Sequence, residues 1–405
     1  MIFPFFSHRW KRVAAVAAAA VVALNGLSVW SQRPQTAPEK APDGQHRIAG
    51  AIHIHSRFSD GGGTIEEIVA AARQANLQYV ILTDHNDALP FALAKQYEGY
   101  RDGVLVIVGE EVNTSAGHLL VLNMDRPVEQ QGANGLPALL DTIAVSGGLS
   151  FIAHPDGRRP WTAWSVGPLH GIEVFNADTE WRNDGPLELL NALFWLSWMP
   201  QAAMNTLIDR PDSVMARWCA LLKDGPVTGI GSVDAHARIP LFGDWAISFP
   251  SYAQMFGLIG TRIVLDGPLT GDADADRARL MEALHAGRCY IAVESFERAD
   301  RFRFEWVCEE DTAGMGAQIV WKTGGRIETT VVSSSPTRLR LFRDGEPVKE
   351  IDGATLTFPI SLPGLYHAEV YQLRRVFPFV NPTPKLWIVS NPIFIQTTPL
   401  QNRGD

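Results

Sequence analysis

The sequence predicts an α/β protein built from parallel βαβ units, preceded by a membrane segment and followed by a small antiparallel β-sandwich. Three observations lead there. Short apolar runs alternate with helical stretches from Ile48 onward, short alternating strands take over from about Phe302, and Val13 to Trp30 forms an apolar run of eighteen residues. Strands alternating with helices imply parallel pairing, in an open sheet or a barrel.

The N-terminal element comes first. "SHRWKR" is basic and precedes the apolar run, so Arg9, Lys11 and Arg12 should stay cytoplasmic, with the body periplasmic or otherwise extracytoplasmic. The run is short for a full span, as in a cleaved secretory signal. No A-x-A pattern closes it, however, and Trp30 suits an interfacial position. Residues 1–30 therefore read as an uncleaved anchor, with a cleaved signal peptide as the alternative. Residues 31–47, "SQRPQTAPEKAPDGQHR", read as a Pro-rich polar tether.

The main unit spans 48–298. Its candidate strands are "IAGAIHI", "YVILT", "VLVIV", "HLLVLN", "LSFIA", "GIEVF" and "VTGIG". Between the first two lies "TIEEIVAAARQAN", whose Ile65, Ile68, Val69 and Ala72 fall on one helical face. Thr64 is placed to cap it, with Glu67 at capping-box distance. Residues 181–223 are rich in Trp, Leu and Met and read as a helical insertion packed on this unit, with a membrane-touching lid as the alternative. In 299–405, segments such as "TRLRLFRDG" and "LYHAEVYQL" alternate between Gly, Pro and Asp turns, as in an antiparallel sandwich whose default role is structural or docking.

Composition narrows the function. Hydrophobic content of 46% and charged content of 20% describe a globular protein, and a net charge of −9 argues against bulk nucleic-acid binding. Three cysteines (Cys219, Cys289 and Cys308) without CxxC spacing argue against a disulfide framework and a thiolate zinc site. Neither a P-loop nor a G-x-G-x-x-G pattern is present, so no nucleotide cofactor is implied.

The chemistry-bearing residues sit at the ends of apolar runs. They are His53 and His55, then Asp60; Asp84 and His85 in "LTDHN"; Glu110 and Glu111 in "GEEVN"; His118 in "GHLL"; His154 in "IAHPDG"; Glu173 in "IEVFN"; and Asp234 with His236 in "SVDAH". Strand alternation places His53 and His55 on one face. One such histidine would be an ordinary rim residue; six of the chain's 11, interleaved with carboxylates, point to bound metal. Imidazole and carboxylate ligands without thiolates suit Zn, Mn or Fe. The glycines of "SDGGG" permit a tight turn of the chain at Asp60 at no steric cost. Metals close together would generate hydroxide from water at neutral pH, and no G-x-S-x-G elbow competes with that chemistry. Arg158 and Arg159 in "HPDGRRP" could bind a phosphate oxygen of a small-molecule substrate.

In this order the motifs HxH, D-G, TDHN, GEE, GH, AHP and D-A-H resemble the PHP (polymerase and histidinol phosphatase) superfamily. "GEEVNTSAGHLLVLN" and the terminal "SNPIFI" are similar to the branch that includes carbaryl-type hydrolases. The resemblance implies a distorted (β/α)7 barrel holding two or three divalent metal ions. By motif, His53, His55, Glu111 and Asp234 would hold one ion. Glu111 would bridge to a second with His118 and His154, and Asp60, His85 and His236 would hold a third. Glu110 is the alternative bridge. Many relatives carry histidine at the position of Asp60, which changes the charge of that third site. Asp84 would face away from the metals and act on their ligands. Clustered metals able to stabilise both attacking and departing oxygens, with Arg158 and Arg159 beside His154, favour a phosphoesterase. The carbaryl-type resemblance implies a carbamate, ester or amide hydrolase as the alternative, and a non-catalytic metal-dependent binding protein is the alternative of another class.

Overall fold

All seven apolar runs of the main unit form strands in the computed structural model, which describes residues 8–36, 44–85, 88–128, 135–242, 245–375 and 381–397. The side chains of Arg9, Lys11 and Arg12, residues 37–43 of the Pro-rich stretch and Asn86 of the TDHN motif lie outside the described residues. In chain order the elements begin with α1 (His8–Ser31), β1 (His46–Ile54), α2 (Ile65–Gln74), β2 (Tyr79–Leu82), α3 (Ala88–Lys95), β3 (Gly99–Arg101), β4 (Val104–Val108), β5 (Glu110–Thr114) and β6 (Gly117–Leu122). There follow α4 (Gly135–Val145), β7 (Leu149–Ile152), β8 (Gly171–Asn176), α5 (Ala177–Asn183), α6 (Pro186–Leu196), α7 (Pro200–Asn205), α8 (Asp212–Leu221) and β9 (Thr228–Ser232). The unit ends with β10 (Ile239–Phe242), β11 (Trp245–Ile247), α9 (Tyr252–Phe256), β12 (Gly260–Leu265), α10 (Ala273–His285) and β13 (Cys289–Ala292). Thr64 caps α2 in a full capping box with Glu67, and Ile65, Ile68, Val69 and Ala72 are its buried face.

Two sheets carry the site. In the first, β1, β2 and β4 run parallel, flanked by antiparallel β12 and β3. In the second, β5, β6 and β7 are antiparallel and β7, β8 and β9 parallel. A closed barrel is not formed: among the described strands no sheet returns to its own edge. The reason lies at β4, whose outer edge is occupied by β3 and so cannot pair with the second sheet. Two isolated parallel bridges, Ile54 to Ala235 and His85 to Glu111, join the sheets instead, and all four residues lie at or beside site positions.

β1 departs from simple alternation. Ile52 pairs with Ile81 and Ile54 with Leu82, so His53 is an extra, bulged residue, and its φ is 70°. Ile52 belongs to a core cluster with Ile81, Leu120, Phe151 and Ile230, drawn from both sheets, whereas Ile54 joins a different one with Val80 and Leu82. Side-chain parity thus switches at His53. Strand alternation is therefore not what brings His53 and His55 together; a bulge aims the first, and the second follows the strand end.

The C-terminal region contributes β14 (Phe302–Cys308), β15 (Asp311–Ala313), β16 (Gln318–Val320), β17 (Arg326–Val331), β18 (Thr337–Arg343), β19 (Glu346–Asp352), β20 (Thr355–Pro359), β21 (Gly364–Arg374), β22 (Thr383–Ser390) and β23 (Ile393–Gln396). β14, β15, β17 and β20 form a separate antiparallel sheet. The others extend the first sheet, because β22 pairs with β13 from Tyr290–Ser390 to Ala292–Ile388. Hydrogen bonding is therefore continuous from the site-bearing strands into the C-terminal region.

α1 is long and apolar enough to cross a membrane over Val13–Ser31. Its end is not free. Val29, Ser31 and Gln32 are buried; Asn205 Nδ2 donates to Gln32 O at 2.6 Å, and Arg374 donates to Ser31 O at 3.1 Å and Arg33 O at 2.7 Å. A buried cation thus caps the carbonyl end of the helix, where its dipole is negative. His46 and Arg47 already pair with β12, so both described ends of the expected 31–47 tether belong to the folded body.

Candidate metal centre

Glu111, at the start of β5, stands at the middle of the cluster. Its Oε2 lies 3.5 Å from His53 Nε2, 3.3 Å from His55 Nε2 and 3.2 Å from His85 Nδ1. Its Oε1 meets His118 Nδ1 at 2.6 Å and His154 Nε2 at 2.9 Å. Asp234 Oδ1, just past β9, is 3.3 Å from His53 Nε2, 3.4 Å from His55 Nε2 and 3.5 Å from His236 Nδ1. Asp60 closes the set, with Oδ1 3.3 Å from His55 Nδ1 and Oδ2 3.4 Å from His85 Nε2 and 3.3 Å from His236 Nε2. All nine residues expected as ligands converge.

Their backbone is unusual at the same places. His53, His154 and Asp234 adopt φ of 70°, 25° and 47°, a region that disfavours residues with a Cβ and concentrates at functional sites. The SDGGG turn works through close approach: a Cβ at Gly61 would lie 2.1 Å from His55 O, and one at Gly62 2.7 Å from Ala237 O.

The donor set fits divalent cations. The described His, Asp and Glu donors form three mutually close groups: His55, Asp60, His85 and His236; His53, Glu111 and His154; and His53, His55 and Asp234. His55 belongs to two groups, its Nδ1 facing Asp60 and its Nε2 facing Glu111 and Asp234. His53 Nε2, both nitrogens of His55 and His85 Nδ1 are buried without a hydrogen-bond partner, although carboxylate oxygens surround them. Such orphaned atoms are costly unless something satisfies them, and a cation does so. Charge points the same way. Burial would depress His55, but Asp234 and Glu111 push it up to about 10. Burial would raise Glu111 and Asp234, yet His53 and its neighbours hold both well below the carboxylate range. The carboxylates thus favour positive charge among the imidazoles, whether it comes as protons or as a cation.

Residues 51–131 match the family model described as the PHP domain. Residues 51–131 are therefore PHP-like. That segment holds His53, His55, Asp60, His85, Glu111 and His118; the fold adds His154, Asp234 and His236 from beyond it. The PolC-type DNA polymerase III of Bacillus cereus is 28% identical over 188 residues, which cover 38% of this chain and 13% of the polymerase. A two-domain protein from Bacteroides vulgatus, described as containing a predicted PHP-like metal-dependent phosphoesterase, is 19% identical, with 89% of this chain and 99% of that one covered and a TM-score of 0.40. An amidohydrolase from Chromobacterium violaceum, solved with sulfate, is 17% identical, with 46% and 87% covered and a TM-score of 0.30.

Around the cluster, further polar side chains fix the imidazoles. His53 Nδ1 meets Glu173 Oε1 at 2.7 Å, while Glu173 Oε2 accepts from His154 N at 2.6 Å and Asn176 Nδ2 at 2.8 Å. Glu173 thus faces the cluster. Asp84 turns away, accepting from Ser56 N at 2.8 Å, Ser56 Oγ at 2.7 Å and Ser59 Oγ at 2.5 Å, and so holds the loop that bears Asp60. Glu110 also points elsewhere: it accepts from Val128 N at 2.6 Å, and burial pushes it up to about 7.

A cleft of about 940 Å³ opens over the cluster, with Arg158, Arg159, Arg182 and Arg238 on its walls. Arg159 reaches Asn113 Oδ1 at 3.2 Å. Sequence reading missed Arg182, Arg238, Asn176 and Tyr252, whose hydroxyl donates to His55 O at 2.7 Å. Arg238 stands two residues beyond His236, and Asn176 follows an apolar run as the N-cap of α5, so both left a local signal. Tyr252 left none.

Proposed function

We propose that this protein is an exported metal-dependent hydrolase acting on a phosphomonoester or nucleotide-like substrate. The observation that carries the reading is the convergence of six imidazoles and three carboxylates, with orphaned ring nitrogens, under one cleft. His53, His55, Glu111 and Asp234 would hold one divalent ion, Glu111, His118 and His154 a second, and Asp60, His85 and His236 a third. Nitrogen and oxygen donors suit Mn, Zn or Fe. When bound, such ions lower the pKa of a water to about 7 and polarise a phosphoryl oxygen.

The chain's own residues do the rest. Glu173 keeps the His53 proton on Nδ1 and leaves Nε2 directed inward. Asp84 acts as a positioning residue through Ser56 and Ser59. Arg158 and Arg159 would orient anionic substrate oxygens, since guanidinium forks match phosphate geometry. In this reading 48–298 is a barrel-derived hydrolase unit, 181–223 its helical cover, and 299–405 a sandwich that braces it. α1 is a retained anchor that leaves the body outside the cytoplasm, supported by the Arg374 and Asn205 contacts to its end.

The test is a panel of p-nitrophenyl phosphate, a nucleotide 3′,5′-bisphosphate, a naphthyl carbamate and a naphthyl acetate, each with and without added Mn or Zn. Metal-dependent turnover of a phosphate compound, weakened by Arg158→Ala, is expected. Turnover of only the carbamate or acetate would assign carbonyl chemistry to the same site. Silence on all four in metal-loaded protein would favour a binding role.

A further inference from the structure

α6 carries an apolar stripe that faces outward. Leu187, Leu190, Leu193, Phe194 and, in the turn just after the helix, Trp198 are all more than half exposed, and 187, 190 and 194 recur at helical spacing. From Pro186 to Asn205 the only charged residue is Glu188. Scattered exposed leucines are ordinary, but a contiguous apolar stripe marks an interaction site.

Trp195 of α6, together with α7, holds the end of α1. Trp195 Nε1 donates to Asn25 Oδ1, a Cβ on Gly26 would lie 2.6 Å from the Trp195 ring, and Val29 packs with Ala202 and Ala203. Val13, Val16, Val21, Val22, Leu24 and Leu27 of α1 are exposed, so the apolar surfaces of α1 and α6 adjoin through Trp195. At this level the Arg33 guanidinium lies 3.5 Å over the half-exposed Trp30 ring. An amphipathic aromatic beside a snorkelling arginine suits the headgroup zone.

We infer that the α6 stripe is seated in the bilayer interface beside α1, making α1 and α6 one membrane-docking surface. The inference rests on the retained-anchor reading above. A lipid surface fits better than a protein partner because α6 offers almost no charge to complement, and because α1 already requires lipid at its side. Leu189, next to Leu190, lines the metal cleft, so the helix in contact with lipid also forms a cleft wall.

The experiment uses the full chain with Cys219→Ser, reconstituted into mixed phosphatidylethanolamine and phosphatidylglycerol vesicles. Leu190→Cys carries an environment-sensitive fluorophore, and Val145→Cys, on the 90% exposed Val145 of α4, is the reference. N-terminal sequencing is done on the same sample. With α1 intact, the label at 190 should be quenched several-fold more by nitroxide lipids than the label at 145, and less by aqueous iodide. Equal iodide quenching at both positions, with α1 intact, overturns the inference and leaves the anchor standing. Disulfide formation between unlabelled Leu190→Cys chains, without lipid quenching of the labelled sample, assigns the stripe to a second copy and also overturns it. A chain beginning after residue 31 removes the anchor reading itself, and the inference with it.

Discussion

Glu173→Gln should weaken metal binding without unfolding the protein. Glu173 is buried and accepts from three donors: His53 Nδ1 through Oε1, and His154 N and Asn176 Nδ2 through Oε2. Alanine would orphan all three at about 1–3 kcal/mol each, a large share of a domain's stability. Glutamine is milder. Its oxygen can keep the His154 and Asn176 bonds while its amide turns to His53. His53 Nδ1 must then accept, and its proton moves to Nε2, the atom that faces Glu111 and Asp234. A protonated Nε2 cannot donate a lone pair to a cation. Changes of this kind cost about 10- to 100-fold in metal affinity, or about 1.4–2.8 kcal/mol. Titration of metal-stripped full-length protein with Zn or Mn against a competing chelator measures the loss, and circular dichroism checks the fold. Wild-type affinity in a folded Glu173→Gln protein would refute the tautomer argument.

Three further outcomes follow from other parts of the molecule. Gly50→Ala places a Cβ 2.2 Å from the Tyr79 ring, so overpacking should cost about 1–3 kcal/mol, read as a lower urea midpoint. Arg374→Gln removes the donor to Ser31 O and Arg33 O, and should open the chain near residues 31–36 to limited proteolysis in detergent; unchanged protection would contradict the capping role. Burial pushes Glu180 up to about 8, above its ordinary 4.5, so the unfolded chain loses this proton first as pH rises. Stability should fall between those values, by up to about 1.4 kcal/mol per pH unit. Glu180→Gln should match wild type below pH 4.5 and exceed it near pH 8.5 in denaturant titrations.

Legibility varied with range. The capping box at Thr64 and Glu67 and the buried face of α2 were readable because they depend only on residues three or four apart. The nine cluster residues were readable because all but His118, which opens an apolar run, end such a run or follow one closely. What could not be read is long-range pairing. That β3 takes the edge of β4 and leaves the barrel open, or that β22 joins β13 across about a hundred residues, leaves no local pattern. The reason given for His53 and His55 was local too, and the bulge at His53 broke it. Arg374 and Asn205 looked like ordinary polar residues until the end of α1 was placed against them.

The central claim, that six histidines and three carboxylates form a metal centre, is tested most directly by elemental analysis of the purified full-length chain. Wild-type protein should hold about two or more transition-metal ions per chain, and His55→Ala and Asp234→Ala should each lower that content because both residues face the same group. Wild-type protein that takes up no metal after dialysis against Mn, Zn or Fe, or full metal content in both variants, would contradict it.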